Sequence, residues 1–116
     1  MPRLTSEELN QRLGNFLSFL DKNNLYTLRT DNVRLGYTVL EVIPEPGFKG
    51  VSKAELVEAF KKDGFELRYE NVWVDGVTAM EFIKDLDERR MESVHVVFVC
   101  TFECIPLIAR YNFWKE

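Results

Sequence analysis

The sequence predicts an α+β fold in which helices pack mainly on one face of a single antiparallel or mixed β-sheet. Amphipathic stretches at helical spacing follow Ser and Thr cap residues, and runs of β-branched and aromatic residues alternate with the period of a strand. Their order predicts a split β-α-β (ferredoxin-like) arrangement, preceded by an N-terminal amphipathic helix. The length of 116 residues is that of one domain, so residues 1–116 are expected to form a single globular unit.

The first helix is predicted from Ser6 to Asp21. The Thr5 hydroxyl is placed to accept from the amide three residues on, and Glu8 is placed to reach back to the amide of Thr5. Apolar residues then recur on one face, at Leu9, Leu13, Phe16, Leu17 and Leu20. This segment is therefore expected to cover a hydrophobic core.

A second helix is predicted from Lys53 to Asp63, because Ser52 and Glu55 repeat the same capping pattern. Gly64 follows at the position where a left-handed residue ends many helices, and Phe65 can pack back over the last turn.

The segment from Val77 to Phe82 has two interpretations. Thr78 and Glu81 repeat the capping pattern once more, which favours a helix from Ala79 to about Arg90. The alternative is a β-hairpin, because Asp75-Gly76 is a strong two-residue turn signal.

Two strands are predicted early in the chain, from Leu25 to Thr30 and from Val33 to Ile43, with a turn at Asp31-Asn32. A third begins at Phe65, and its apolar parity shifts near Glu70-Asn71, which indicates a bulge. In the strand predicted from Val33 to Ile43, one face carries Val33, Leu35, Tyr37, Val39 and Ile43.

The stretch from Glu92 to Cys104 holds both cysteines and the single histidine of the chain. Its β-branched and aromatic residues predict one strand, placed centrally because it is apolar on both sides. Cys100 and Cys104 would then lie about 13 Å apart, too far for a shared zinc ion or a disulfide. His95 would face the other way. We therefore expect buried thiols, no metal ligands, no cofactor and no catalytic residue in this stretch.

The C-terminal segment after Pro106 is unusually aromatic, whereas chain ends are commonly polar. One interpretation is a final edge strand or short helix that closes the core. The other is that one face of the segment binds a partner, with Arg110, Tyr111, Phe113 and Trp114 as candidates, because Trp, Tyr and Arg often anchor interfaces.

The net charge of −4 is spread along the chain and disfavours a nucleic-acid partner. No apolar run approaches the ~20 residues that span a bilayer, so no membrane association is expected. Two cysteines without a secretion signal predict the cytoplasm or another reducing intracellular compartment.

These observations favour a non-catalytic protein-interaction module: an adaptor, small subunit or inhibitor-type domain. It would bind another protein, or itself as a homodimer, through a sheet edge and the C-terminal aromatic segment. The first alternative is a domain that binds single-stranded nucleic acid by stacking bases on Tyr69, Trp73 and Phe82. The second is a small enzyme whose site is shared between protomers.

Overall fold

The computed structural model describes residues 4–72, 77–87, 90–100 and 104–112. The elements found in these ranges confirm the α+β class. They are α1 (Ser6–Lys22), β1 (Leu25–Asn32), β2 (Tyr37–Pro44), α2 (Lys53–Lys62), β3 (Glu66–Val72), β4 (Val77–Asp87), β5 (Arg90–Cys100) and β6 (Cys104–Asn112).

The strands form one sheet in the order β1-β2-β6-β5-β4-β3, and every neighbouring pair is antiparallel. Strands β3 to β6 follow one another as a meander, and β6 then lies against β2. The predicted split β-α-β (ferredoxin-like) arrangement is not confirmed. The two strands that α2 joins, β2 and β3, run in the same direction, but three strands, β6, β5 and β4, lie between them. Instead, α2 carries the chain from β2 across to β3 at the far edge.

Both helices cover the same face of the sheet, as predicted. The ring of Phe60 on α2 lies between Phe16 of α1, with ring centroids 4.5 Å apart, and Phe82 of β4, at 4.2 Å. The sheet residues that join this core share one face by their register: Leu40, Val42, Met80, Phe82, Val94, Val96 and Tyr111. Burial of this shared face holds the two layers together.

The two predicted helix starts and the helix end at Gly64 are confirmed. The Thr5 hydroxyl accepts from the amide of Glu8 at 3.0 Å, and the Glu8 carboxylate accepts from the amide of Thr5 at 3.1 Å. The Ser52 hydroxyl accepts from the amide of Glu55 at 3.4 Å. Gly64 has φ +92°, a left-handed conformation that glycine adopts without the cost of a Cβ.

A break inside α1 was not predicted. Leu13 has non-helical angles (φ −123°, ψ 23°) in the middle of the helix. Just past the break, the carboxylate of Asp63 accepts from the backbone amides of Asn15 at 2.9 Å and Phe16 at 3.0 Å. It also accepts from the Asn15 side chain at 2.8 Å. Asp63, at the end of α2, thus caps the second half of α1 across the helix interface.

The favoured helix from Ala79 to Arg90 is wrong, because residues 77–87 form strand β4. Every second residue of this strand, at Thr78, Met80 and Phe82, is buried and pairs with β5. The segment therefore follows the period of a strand and not that of a helix. The hairpin alternative agrees with the antiparallel pairing of β3 and β4. Its turn residues, Asp75-Gly76, lie outside the described residues.

The turn between β1 and β2 falls later than predicted. Asn32 pairs with Tyr37, and residues 33–36 form the turn, with Gly36 at φ +75°. Leu35 is accordingly 60% exposed instead of lying in a strand. The core-facing residues of β2 are Thr38, Leu40 and Val42, so the face predicted from odd-numbered residues is the outer one. Because successive side chains of a strand point to opposite faces, an error of one residue assigns every side chain to the wrong face.

The stretch from Glu92 to Cys104, which was predicted to be one strand, belongs to two strands. β5 ends at Cys100, β6 begins at Cys104, and these two residues are paired across the hairpin. The 13 Å separation expected from one extended strand is therefore wrong, because the chain reverses between them. β5 is central, as predicted. The segment after Pro106 is part of β6, which lies between β2 and β5, so the interpretation of this segment as an edge strand is wrong. The bulge in β3 lies between Leu67 and Tyr69, slightly before the predicted place.

Candidate interaction surface

The face of the sheet that points away from the helices carries four apolar residues at the β1–β2 end, around the exposed Glu41, which is paired with Leu28. Tyr26 and Leu28 of β1 are 42% and 52% exposed, and Val39 and Ile43 of β2 are half-buried beside them. Tyr26 is paired with Ile43, and Val39 lies one strand over at the level of Thr30. We call Tyr26, Leu28, Val39 and Ile43 the outer β1–β2 patch.

Strand β1 also forms one edge of the sheet. Its eight residues pair with β2 in eight consecutive steps without a register shift, and no other described strand pairs with its free side. An edge strand of this kind leaves backbone N–H and C=O groups available to another chain. The opposite edge, β3, is interrupted by its register shift and carries Glu66, Arg68 and Glu70, which make it a poorer template.

The inward-facing charges of β1 are satisfied within the chain. Arg29 contacts Asp31 at 3.0 Å and also donates to the carbonyl of Leu4, and Asp31 accepts from the Thr38 hydroxyl at 2.6 Å. These bonds tie the edge strand to the segment before α1 and to β2. The edge is therefore held in an extended, ordered form before any partner arrives.

The C-terminal candidates do not act together on the described structure. Tyr111 is fully buried, so its side chain belongs to the core and not to the surface. Arg110 is placed in β6 with its backbone between Val39 and His95. Phe113 and Trp114 lie outside the described residues, and their role stays a prediction.

Tyr111 takes part in a buried polar cluster that sequence reasoning missed. The Arg12 guanidinium contacts the Glu92 carboxylate at 2.7 Å and donates to the Tyr111 hydroxyl at 3.1 Å. Burial raises the pKa of the Tyr111 hydroxyl. For Arg12, burial alone would lower the pKa, but the bond to Tyr111 and the charge of Glu92 outweigh it and raise the pKa. Arg12 is 80 residues from Glu92 and 99 residues from Tyr111 in sequence, so no local pattern indicated the cluster.

Glu92 is itself nearly inaccessible, and its Oε2 has no hydrogen-bond partner among the described residues. The arrangement links α1 to the middle strands of the sheet. It therefore acts as a structural contact between the layers.

The residues proposed to stack nucleic-acid bases are not gathered on one surface. Phe82 is fully buried against Phe60, and Tyr69 is 53% exposed on β3. Trp73 lies outside the described residues. Only Tyr69 is thus shown to be open to a base.

His95 lies on the outer face, with its Nε2 3.8 Å from the Glu81 carboxylate. Within the described part of the chain, no group of three or more His, Cys, Asp and Glu residues could hold a metal ion. His95 is thus a half-exposed neighbour of an acidic residue.

An open cleft of about 560 Å³ lies between the two helices. Lys22 and Lys62 line it together with Glu55 and Glu58, and Phe19 contributes apolar surface. The opposite charges offset one another, so the cleft has no strong preference for an anionic or cationic ligand.

No protein-family model, curated protein or solved structure matches this chain. Among the helices of the described ranges, none has both the length and the apolar character needed to cross a bilayer.

Proposed function

We propose that this chain is a non-catalytic protein-interaction module that binds through the β1 edge and the outer β1–β2 patch. The observation that carries the proposal is the combination of an eight-residue edge strand in unbroken register with exposed Tyr26 and Leu28 on its outer side. The edge supplies backbone hydrogen bonds, and the adjoining patch supplies apolar area and specificity.

The partner that this surface fits is a protein segment able to lie as a strand beside β1. A second copy of the chain meets this requirement, because two β1 strands related by a two-fold axis would pair antiparallel. Such a dimer would continue the sheet across the two protomers and bring the two outer patches next to each other. We therefore propose that the partner is a second copy of the chain, and that the homodimer forms in a reducing intracellular compartment.

The test replaces Leu28 with lysine, which puts a charge on the outer patch next to the edge. Leu35→Lys is the matched control, because it makes the same change at a residue that is 60% exposed in the β1–β2 turn. Sedimentation velocity over a wide range of protein concentrations reports the mass in solution. We expect a dimer for the wild type and Leu35→Lys, and a monomer for Leu28→Lys.

A monomeric wild type at every concentration would contradict the homodimer. A pull-down with the same three proteins then examines a different partner, which should be retained by the wild type and Leu35→Lys and lost with Leu28→Lys. Equal retention by all three would refute the β1 surface. The Phe113→Ala/Trp114→Ala variant, measured in the same way, tests the contribution expected of the C-terminal aromatic residues.

A further inference from the structure

The geometry points to Cys100 and Cys104 as a thiol pair that forms a reversible intramolecular disulfide across the β5–β6 hairpin. The two residues are Cα partners in the antiparallel register. Paired Cα atoms in an antiparallel ladder lie about 4.5–5.5 Å apart, which falls inside the range of about 4.4–6.8 Å that disulfides span. The backbone therefore brings the two residues to the separation that the bond requires.

The position of the pair in the sheet gives it freedom to adjust. Cys100 lies one residue beyond Val99, the last residue of β5 paired with β4, where the partner is Val77. Cys104 lies four residues before Ile108, the first residue of β6 paired with β2. Within the described pairing, the Cys100–Cys104 step thus belongs to a two-stranded end of the hairpin. Cβ atoms of paired residues lie about 4.5–5.5 Å apart, and a disulfide needs about 3.5–4.5 Å, so a closure of about 1 Å suffices.

A disulfide is a better fit than a metal site for this pair. Structural zinc commonly takes four protein ligands, whereas the strand register brings together two cysteines. Two cysteines alone satisfy the needs of a disulfide. In a reducing compartment both would be thiols, and the bond would form when the local redox balance changes.

The chemistry is thiol–disulfide exchange with a small-molecule disulfide such as oxidised glutathione. The thiolate of one cysteine attacks a glutathione sulfur, breaks its S–S bond and forms a mixed disulfide, releasing one glutathione thiolate. The thiolate of the second cysteine then attacks the protein-bound sulfur. The intramolecular S–S bond forms, and a second glutathione leaves. The protein loses two protons and two electrons in total, and one molecule of oxidised glutathione becomes two of reduced glutathione.

The experiment equilibrates the folded wild-type chain with a series of reduced and oxidised glutathione mixtures. The reaction is then quenched with acid, free thiols are alkylated, and the intact mass is measured. We expect a species that has lost two hydrogen atoms, takes up no alkyl group and carries no glutathione. Proteolysis followed by mass spectrometry should find Cys100 and Cys104 joined in one peptide.

A register-shifted variant distinguishes the folded hairpin from mere closeness in sequence. Cys104→Ser/Ile105→Cys moves the second thiol by one residue, to a position paired with Val99 instead of Cys100. The covalent loop changes by a single residue, so an unfolded chain would close both rings almost equally well. We expect the ratio of intramolecular disulfide to dithiol to be at least about tenfold lower in this variant under the same glutathione mixture.

Three results would overturn the inference. They are a wild type that forms only mixed or intermolecular disulfides, one that keeps both thiols alkylatable in every mixture, and equal closure by the register-shifted variant. Circular dichroism of the variant checks that it keeps the fold of the wild type. If it does not, the wild-type result in folding buffer, compared with the same chain in denaturant, decides between the hairpin and sequence proximity.

Discussion

Removing the carboxylate of Asp63 is expected to destabilise the fold through α1, although Asp63 lies at the end of α2. The side chain accepts from two backbone amides, those of Asn15 and Phe16, and from the Asn15 amide group. The preceding non-helical residue, Leu13, interrupts the helical ladder, so amides beyond it need other acceptors. Asp63 therefore has the role of an N-cap supplied from another helix.

The magnitude follows from two opposing contributions. Loss of an N-cap costs about 0.5–2 kcal/mol, and a hydrogen bond to a charged group contributes about 1.5–3 kcal/mol when it is well shielded. Asp63 is only half-buried, which reduces these values. A negative charge at the C-terminal end of α2 is itself unfavourable by about 0.3–1 kcal/mol, and the substitution removes it. We expect a net loss of about 2 kcal/mol for Asp63→Ala and about 1 kcal/mol for Asp63→Asn, whose side-chain oxygen still accepts.

The measurement is urea unfolding at constant pH, which gives the free energy of unfolding and its denaturant slope. Glu58→Ala is the matched control, because it removes an exposed acid from the same helix. Hydrogen exchange at the amides of Asn15 and Phe16 provides a local readout, and both should exchange faster in Asp63→Ala than the global loss accounts for. The reasoning is refuted if Asp63→Ala costs no more than Glu58→Ala, or if these two amides keep their protection.

Three further predictions concern the core, a turn and the buried hydroxyl. Phe60→Ala should lower the free energy of unfolding by about 3–5 kcal/mol in urea titrations, because a fully buried ring with two stacked neighbours is lost; a loss below about 1 kcal/mol would argue against this packing. Gly64→Ala should cost about 1–2 kcal/mol in thermal and urea unfolding, because φ is +92° and the added Cβ would lie 3.2 Å from Lys84 Cε. Gly14→Ala, where a Cβ meets no atom within 4 Å, should cost clearly less, and equal costs would contradict the argument. The raised pKa of Tyr111 means that its contribution to stability is complete below about pH 10, where the unfolded tyrosine is neutral, and is lost at up to about 1.4 kcal/mol per pH unit above it. The stability difference between the wild type and Tyr111→Phe, measured from about pH 8 to pH 11, should therefore shrink as pH rises, and a constant difference would count against the burial of the hydroxyl.

Local interactions in this chain could be predicted from sequence because their partners are close along the backbone. The bonds between Thr5 and Glu8 span three residues, and the left-handed Gly64 follows from the end of α2. The alternation that buries Val94 and Val96 is likewise a repeat of two. In these places the conformation depends on a few neighbouring residues, and the packing of other elements does not change it.

The same local pattern failed at Thr78 and Glu81, where tertiary packing decided the outcome. A capping sequence was present, but β4 pairs with both β3 and β5 and buries Met80 and Phe82 in the core. This burial stabilises the extended form more than a cap stabilises a helix start. Helix propensity is a weak preference that such packing overrides.

The candidate sites depended even more on distant contacts. The chain reversal after Cys100 set the distance between the two cysteines, and the pairing of β6 with both β2 and β5 placed Tyr111 in the core. Among the described strands, β1 lies at an edge because of the strand order, which no local stretch specifies. Sequence by itself determined the α+β class, both helix starts and the placement of the helices on one side of a sheet, since period and capping act over a few residues. Only the tertiary structure decided strand order, register and which residues remain at the surface, because these depend on which distant apolar faces exclude water together.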